Sequence, residues 1–292
     1  MNEMYLRYFT NDDSFPFFIQ YGHHEEDVFM HCHADFSELV IIMNGTALHH
    51  VNQDSWFIKK GDVFVLGHDV VHGYTGTDEL QICNIMFPEK MLMDSDCDVR
   101  KLSGFHALFV IEPYLTKNHE FQSHLSLNLQ QFEQIHSITD TMVKEYHSTK
   151  AGRTTLLSSY FMILVTLLSR FYHLPDKGNT ENIMNIAKSV SYIENHYTET
   201  LSRSNLAKIS NMSVRHFNRL FTATYHTTPG SYILSLRMQN ACHLLANSTD
   251  SISEIALQCG FNDNNYFSRQ FHKFYGFSPR EYRQKGLKSP LT

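Results

Sequence analysis

The sequence predicts an α+β multidomain protein, with a β-barrel and a helical extension in its N-terminal part and an all-α domain of two helix-turn-helix subdomains in its C-terminal part. Three observations predict this fold class. Apolar and polar residues alternate between residues 15 and 87, apolar residues recur at helical spacing between residues 129 and 171, and one helix-turn-helix pattern occurs twice after residue 182. A length of 292 residues suits two domains, because one domain usually holds about 100 to 200 residues.

The composition is that of a folded, soluble protein. Hydrophobic residues make up 42% of the chain and charged residues 18%, which excludes a disordered or fibrous chain. The five cysteines are odd in number and show no CxxC spacing, so neither a disulfide framework nor a zinc ribbon is indicated. The first residues lack a signal-peptide pattern, and the run from Tyr160 to Leu168 is shorter than the ~18 residues of a membrane span. We therefore expect a cytoplasmic protein without a membrane partner.

Charge is distributed unevenly along the chain. The net charge is −6, but the part from Asn182 to the end contains 12 Lys and Arg against 6 Asp and Glu, a net charge of +6, so that the remainder carries −12. A basic C-terminal part indicates an anionic partner such as nucleic acid, although a solvated basic face gives the same count.

The segment from Phe15 to about Phe87 alternates apolar and polar residues between turn formers. Its runs are SELVIIMNG, TALHHV, SWFIKKGD, VFVLGHD and ELQICNIMFPE. Runs with a period of two indicate antiparallel strands, and repeated hairpins in a short segment indicate a small barrel or sandwich. Polar side chains on the inner face of such a barrel would line a cavity.

Two amphipathic helices follow, after a stretch between residues 88 and 113 that the pattern leaves unassigned. Apolar residues recur every three or four positions between residues 129 and 146, and again between residues 156 and 171. Two interpretations stay open, because spacing does not separate them. The helices either cover the barrel only or also form the seam of a homodimer.

The linker between the domains is predicted at residues 175–181. The string LPDKGNTE holds Pro, Gly, Asn and charged residues without apolar periodicity. The two domains are then predicted at residues 1–174 and 182–292.

The C-terminal domain contains a helix-turn-helix pattern twice. After a helix in ENIMNIAKSVSYIENHY, the string LSRSNLAKISNMSVRHFNRLFTATY predicts a short helix, a turn from Asn211 to Ser213 and a second helix whose N-cap is Ser213. A long helix, PGSYILSLRMQNACHLLANS, comes next. The string SISEIALQCGFNDNNYFSRQFHKFYGFSPREYR then predicts a short helix, a Cys-Gly-Phe turn and a second helix from about Asp263 to Phe274.

The second helix of each unit is typical of a helix that reads a major groove. Such a helix docks on its domain through an apolar side and meets bases and phosphates through the opposite side. The predicted docking residues are Phe217, Leu220, Phe221, Phe267, Phe271 and Phe274. The residues predicted to contact DNA are Arg215, Asn218, Arg219, Asn264, Asn265, Ser268 and Arg269. One such helix is also typical of an ordinary helical bundle, but two in a basic region favour double-stranded DNA as the partner.

The second unit resembles the C-terminal signature of AraC/XylS-type transcription regulators. The matching residues are Ile255, Ala256, Gly260, Phe261, Tyr266, Phe267, Ser268, Arg269, Phe271, Gly276, Ser278, Pro279, Tyr282 and Arg283. The resemblance covers about residues 183–284. It implies two helix-turn-helix subdomains joined by a long helix, with recognition helices in successive major grooves about 34 Å apart. It also implies RNA polymerase as a partner of an activator.

One residue departs from the pattern of that family. Where the family usually has Gly after the first recognition helix, this chain has His226. A left-handed conformation is less well tolerated by His than by Gly, so the sequence does not fix the residue at which this helix ends.

The string MHCHADFSEL and the later string KKGDVFVLGHDVVHGY are similar to the two-part cupin motif. The metal ligands of that motif fall on His31, His33, Glu38 and His72. Three imidazoles and one carboxylate suit a first-row divalent metal. The second part of the motif departs from the usual pattern, since Gly67 and Asp69 stand where it has a Pro and a second Gly.

Sugar-sensing regulators carry similar strings on a cupin-like barrel. Among them the chain is similar to L-rhamnose-responsive regulators, through DFSELVIIMNG, GDVFVLGHDVVHGYT and LQICNIMFPEKM. Sugars are recognised by hydrogen bonds from polar side chains and by an aromatic stacking face. We therefore predict effector binding by His31, His33, Glu38, His72 and Tyr74, and we favour an effector without a metal or other cofactor.

Three functions from different classes are compatible with these patterns. The leading one is a non-enzymatic, DNA-binding activator of carbohydrate-use genes, controlled by L-rhamnose or another sugar. The resemblance implies that the N-terminal arm, residues 1 to about 20, transmits binding to the linker or to a second subunit. The alternatives are a metal-dependent cupin enzyme joined to a DNA-binding module, and a barrel that serves dimerisation only.

Overall fold

A computed structural model of the chain describes residues 2–10, 12, 14–93, 97–117, 125–172 and 180–285. The chain divides into two compact units, Met1–Ala187 and Lys188–Thr292. The predicted linker falls mostly outside the described residues, and a helix begins at Thr180. The boundaries at residues 174 and 182 therefore stay a prediction.

The N-terminal unit contains a mixed sheet that has eight strands within the described ranges. The strands are β1 (Asn2–Met4), β2 (Phe18–His24), β3 (Val28–His33), β4 (Ser37–Val51), β5 (Asp54–Lys59), β6 (Asp62–Leu66), β7 (His72–Phe87) and β8 (Leu125–Ser126). The order is β1-β3-β7-β4-β6-β8, while β2 pairs with β7 and β5 with β4. The pairs are antiparallel except β1 with β3, which confirms the predicted antiparallel architecture for the segment from Phe15 to Phe87.

The two long strands β4 and β7 organise this sheet. They pair along nearly their whole length, with register shifts between Ile42 and Leu48. Gly45 lies within these shifts at a φ of 74°, and a Cβ atom there would lie 2.2 Å from the Glu79 carbonyl oxygen. Bulges of this kind bend a strand pair, so the first half of β4 pairs with β6 and its second half with β5. Residues from both halves therefore contribute to one buried apolar cluster.

Helices follow strand β7 in the N-terminal unit, on either side of the short strand β8. They are α1 (Lys90–Met93), α2 (Ser103–His106), α3 (Glu112–Lys117), α4 (Leu129–Tyr146) and α5 (Arg153–Phe171), with a 3-10 turn at Asp98–Lys101 and a π-helical turn at Ala107–Ile111. The structure thus assigns the stretch that the sequence pattern left open, and it confirms the two predicted amphipathic helices. α4 begins with a capping box between Asn128 and Gln131.

Helix α5 is apolar because it packs against the sheet. By length and composition it could cross a membrane, with a mean hydropathy of 1.4. However, the Phe161 ring lies 5.3 Å from that of Phe17 and 4.9 Å from that of Phe87, and all three side chains are buried. The apolar residues Leu157, Leu164 and Leu168 are fully buried in the same unit. These buried residues form the side of the helix that packs in this unit, whereas Leu156 and Ile163 on the same helix are exposed.

The C-terminal unit is helical, as predicted. The helices are α6 (Thr180–His196), α7 (Arg203–Ile209), α8 (Val214–Tyr225), α9 (Pro229–Asn247), α10 (Ile252–Gln258), α11 (Asn264–Tyr275) and α12 (Pro279–Gln284), of which α6 crosses the boundary between the two units. Ser213 caps α8, as the sequence predicts, and Asp263 caps α11. Phe217 and Phe267, at equivalent positions of α8 and α11, are both fully buried.

The duplication extends to the backbone of the two turns. Asn211 and Gly260 take left-handed conformations, with φ of 51° and 82°. The Met212 amide donates to the Ala207 carbonyl, and the Phe261 amide donates to the Ala256 carbonyl, each at 2.9 Å. Both turns therefore end their first helix with the same Schellman-type bond.

The departure at His226 has a structural consequence. His226 follows α8 with a φ of 53°, and the equivalent Gly276 follows α11 with a φ of 75°. The helix therefore ends where a glycine would end it. The backbone of His226 adopts a left-handed conformation, which costs an L-residue about 1 to 2 kcal/mol.

Candidate effector pocket and DNA-binding surface

Strand register places a group of polar and aromatic side chains on one inner face. His72 on β7 pairs with His31 on β3, and Tyr74 pairs with His49 on β4. His49 in turn pairs with Trp56 on β5. Because residues two apart on a strand point to the same face, these pairs form adjacent rows of that face.

Glu38 completes the group from the other half of β4. Its Oε2 atom lies 3.6 Å from the Nε2 atoms of both His33 and His72. Those two nitrogen atoms lie 3.2 Å apart. The bend of β4 therefore brings a carboxylate near the start of the strand against histidines of β3 and β7.

The five predicted effector residues are brought together in this way. His33, Glu38, His72 and Tyr74 are each no more than 2% exposed, whereas His31 is half-buried. The rings of His31 and His72 lie 4.3 Å apart. The Nδ1 atom of His31 lies 3.0 Å from the Phe29 carbonyl, a hydrogen bond that leaves Nε2 of His31 with a lone pair when Nδ1 carries the proton.

Burial keeps this cluster electrically neutral near pH 7. It raises the pKa of Glu38 to about 8. Burial, assisted by the charge of His31, lowers the pKa of His33 to about 3, and burial with the neighbouring histidines lowers the pKa of His72 well below its usual range. The carboxyl group is therefore protonated and neutral, and each of the two buried imidazoles carries a single N–H proton and no charge.

Several buried polar atoms of this face have no hydrogen-bond partner among the described residues. They are the hydroxyl of Tyr74, Oε2 of Glu38, Nε1 of Trp56 and the Nδ1 atoms of His33 and His72. Buried polar groups in folded proteins are nearly always hydrogen-bonded to protein, water or ligand, so this concentration makes the face the candidate effector site.

His49 and Trp56 also lie in this cluster, and sequence reasoning did not single them out. The His49 ring stacks on Phe64 at 4.5 Å and on Tyr74 at 4.8 Å, and the Trp56 ring meets its edge at 5.0 Å. The string TALHHV contained a usable signal, because one of two adjacent histidines in a strand must point inward.

The metal implied by the cupin-like motif fits the geometry of the donor atoms. A first-row divalent ion binds nitrogen and oxygen at about 2.0 to 2.2 Å, which places neighbouring ligand atoms roughly 3 Å apart. The separations of 3.2 and 3.6 Å among His33, His72 and Glu38 approach this value, and one ring nitrogen of His31 lies within 4.8 Å of those of His33 and His72. These four residues would hold the ion. Histidines that bind a metal usually donate their other ring N–H to an acceptor. Among the described residues His31 has such an acceptor, the Phe29 carbonyl, whereas the Nδ1 atoms of His33 and His72 have none.

The predicted DNA-contact residues lie on α8 and α11 with different environments. Arg215, Arg219, Asn265 and Arg269 are exposed, and Asn218 and Ser268 are half-buried. Asn264 is exposed, but its amide group already donates to Ser253 at 2.9 Å. The side chains most available to DNA are therefore the arginines and Asn265.

His216 and Tyr266 are also exposed on these helices. They occupy equivalent positions in the first turn of α8 and α11. Phe274 was predicted to be buried, and this was wrong, since it is 44% exposed. Tyr275 takes the inner position instead, four residues after Phe271 with the rings 4.8 Å apart.

Comparisons with known proteins agree with both parts of this architecture. The family described as AraC-like ligand binding domain matches residues 15–149, and the family described as helix-turn-helix domain matches residues 206–285. A solved structure of a transcriptional regulator from Chromobacterium violaceum, described as an AraC-type DNA-binding domain-containing protein, is similar to 35% of this chain and 91% of its own chain, at 33% identity and a TM-score of 0.33.

Two curated relatives are similar along most of the chain. The HTH-type transcriptional activator RhaS of Enterobacter sp. (strain 638) is 31% identical over 253 residues, which is 86% of each chain. RhaS of Escherichia fergusonii is 31% identical over 258 residues, again 86% of each chain. These relatives are transcriptional activators, so the protein is a regulator and not the metal-dependent enzyme that the histidines alone suggested. The chain belongs to the AraC family of helix-turn-helix transcriptional activators, with an AraC-like ligand-binding domain and a DNA-binding domain.

Proposed function

We propose that this activator controls carbohydrate-use genes and that its effector is a sugar, with L-rhamnose as the first candidate. The observation that carries the proposal is the convergence of His33, Glu38 and His72 beside Tyr74 and Trp56. Hydroxyl groups of a sugar both donate and accept hydrogen bonds, which matches neutral imidazoles, a protonated carboxyl group and a phenol. An aromatic face beside these groups suits the apolar face of a sugar ring.

The effector site is proposed to signal through the N-terminal arm. Strand β1 pairs in parallel with β3, with Asn2 opposite His31 and Met4 opposite His33. The Leu6 amide donates to the Asp35 carboxylate at 2.9 Å, and Leu6 packs in a cluster with Phe36. A ligand that moves β3 would therefore act directly on the arm, and the arm would bias the DNA-binding arrangement.

The DNA-reading groups are proposed to be the seven residues predicted on α8 and α11. Arg215, Arg219 and Arg269 supply charge and forked hydrogen-bond donors, which suit guanine or phosphate.

The exposed apolar residues Leu156 and Ile163 of α5 support a homodimer seam there, in agreement with one of the two interpretations of the helical spacing. RNA polymerase is the further partner that activation requires, and the cytoplasm is the compartment where these partners meet.

A second candidate for the pocket is a sugar bound through a divalent metal. The specific observation in its favour is that two imidazole nitrogens and a carboxylate oxygen lie within 3.2 to 3.6 Å of one another. Such an ion would act as a Lewis acid toward sugar hydroxyls. The chain would supply His31, His33, Glu38 and His72 as ligands.

A thermal-shift screen of the full-length protein against monosaccharides tests the proposal. L-rhamnose or another sugar should raise the melting temperature, because a ligand that binds only the folded state stabilises it by about 2.7 kcal/mol at a concentration of 100 Kd. The shift should disappear in His72→Ala and persist in His23→Ala, a matched change at an exposed histidine. If no sugar shifts the melting temperature either in buffer with EDTA or in buffer with added Zn²⁺, the proposed effector class is wrong. That result would favour the alternative in which the barrel serves dimerisation only. A shift that EDTA abolishes and Zn²⁺ restores assigns the metal-bound form.

A further inference from the structure

The long helix α9 carries one residue that joins both helix-turn-helix units. The Arg237 guanidinium donates to three backbone carbonyl oxygens, those of Tyr197 at 2.6 Å, Gly260 at 2.7 Å and Glu199 at 2.7 Å. All three carbonyl groups lie just beyond the carboxyl end of a helix. Tyr197 and Glu199 follow α6, and Gly260 follows α10.

These two helices belong to different helix-turn-helix units. α6 is tied to α7 of the first unit, because the Ser189 hydroxyl donates to the Leu206 carbonyl at 2.7 Å. α10 is the first helix of the second unit and packs beside α11 in the same apolar core. Carbonyl groups at helix carboxyl ends lack partners within the helix and attract cations. One planar guanidinium therefore caps a helix of each unit at the same time.

The same joint contains a close backbone approach that only glycine allows. A Cβ atom at Gly260 would lie 2.2 Å from the Thr198 carbonyl oxygen, and Gly260 has a φ of 82°. The loop after α6 and the turn of the second unit are thus in direct contact. The Arg237 guanidinium also lies 5.4 Å from the Phe261 ring centroid, which holds the turn from a second side.

We propose that Arg237 is a positioning residue that fixes the distance and orientation between the recognition helices α8 and α11, and through them the spacing of the two DNA half-sites. The proposal rests on DNA contact by both recognition helices. Arg237 itself is half-buried and is bonded to backbone carbonyls on three sides. Its effect on DNA therefore passes through the position of the two units.

The test measures spacing selectivity and not affinity alone. A two-part site is first selected with the wild-type protein from a random-sequence duplex library, and duplexes with one, three or five inserted base pairs between its halves are then compared by titration. The wild-type protein should lose about tenfold or more in affinity when about half a helical turn is inserted, because the second helix loses its base contacts. Arg237→Lys and Arg237→Met should reduce this penalty to about threefold or less, with weaker binding to the original spacing. The Lys variant retains the charge, so a lost charge does not explain the result.

A destabilising control separates positioning from general loosening. The Tyr232 hydroxyl on α9 donates to Glu194 on α6, so Tyr232→Phe removes one bond between α9 and α6 and leaves the three bonds of Arg237 in place. This variant should melt at a lower temperature and keep the wild-type spacing penalty. If the Arg237 variants keep the wild-type penalty, or if Tyr232→Phe reduces it equally, the proposal is wrong. If the wild-type protein selects a one-part site only, the proposal that both recognition helices contact DNA is wrong, and the positioning role proposed for Arg237 is wrong with it.

Discussion

The Nε2 atoms of His33 and His72 lie 3.2 Å apart within the N-terminal unit, and each lies 3.6 Å from the same carboxylate oxygen of Glu38. In Glu38→Gln the neutral side chain keeps its size but loses the acidic hydroxyl, so we expect the thermal shift caused by the effector to fall to less than half of the wild-type value. Glu25→Gln, an exposed change of the same kind, should leave the shift unchanged. An unaltered shift in Glu38→Gln would remove Glu38 from the proposed site.

Release of the N-terminal arm should weaken effector binding. Leu6 is 5% exposed in a cluster with Phe36 and Met86, so Leu6→Ala removes buried contacts worth about 2 to 3 kcal/mol. We expect faster hydrogen exchange in residues 2–9 of this variant and a smaller effector shift. Leu129→Ala, at a 74% exposed leucine, is the matched control. Unchanged effector binding in spite of an exchanging arm would contradict the proposed signal route.

Recognition by α8 should depend on Arg219 more than on other surface charges. We expect Arg219→Ala to weaken binding to a selected duplex by about 1 to 3 kcal/mol, a factor of about 5 to 150, and to relax selectivity at one base position. Arg170→Ala on α5 removes the same charge from the N-terminal unit and should change affinity much less. Titration of both variants against all four bases at each position checks this. If both variants lost the same affinity, Arg219 would contribute only its charge and not a specific contact with a base.

His226 should limit the stability of the first helix-turn-helix unit. His226→Gly removes the steric cost of the left-handed backbone conformation, but glycine also gives the unfolded chain more conformational entropy. The net effect should be a stabilisation of the unit by up to about 1 kcal/mol. Gly276→Ala, at the equivalent position of the second unit, should destabilise by about 1 kcal/mol, since a Cβ atom there meets no neighbour within 4 Å and only the backbone conformation opposes it. Opposite changes in melting temperature are expected, and a lower value for His226→Gly would contradict the argument.

Acid should destabilise the N-terminal unit through His106. Burial, with a smaller contribution from the charge of Arg100, lowers the pKa of His106 to about 3. The unfolded chain therefore binds more protons than the folded chain between about pH 6.5 and pH 3, and stability falls as the pH is lowered through this range, by about 2 kcal/mol at pH 5 relative to pH 7. The melting temperature of His106→Leu should decline less than that of the wild-type protein over this interval. Parallel declines would show that other groups cause the acid sensitivity.

Much of the fold was predictable because its signals are local. The cap at Ser213 and the apolar spacing of α4 and α5 arise from neighbouring residues, and the structure places them as predicted. The stretch between residues 88 and 113 was not predictable, since its short helices and turns are too brief to show a period. The predicted burial of Phe274 was wrong because Tyr275 occupies the inner position at the end of α11.

The sequence by itself determined the duplicated helix-turn-helix pattern, the strand-rich first domain and five residues of the candidate pocket. Only the tertiary structure decided that Glu38 stands against His33 and His72, that His49 and Trp56 join them, and that Arg237 links two helix ends. The physical reason is sequence separation. Periodicity and capping depend on residues a few positions apart, whereas these contacts join strands and helices that the bend at Gly45 and the close approach at Gly260 bring together.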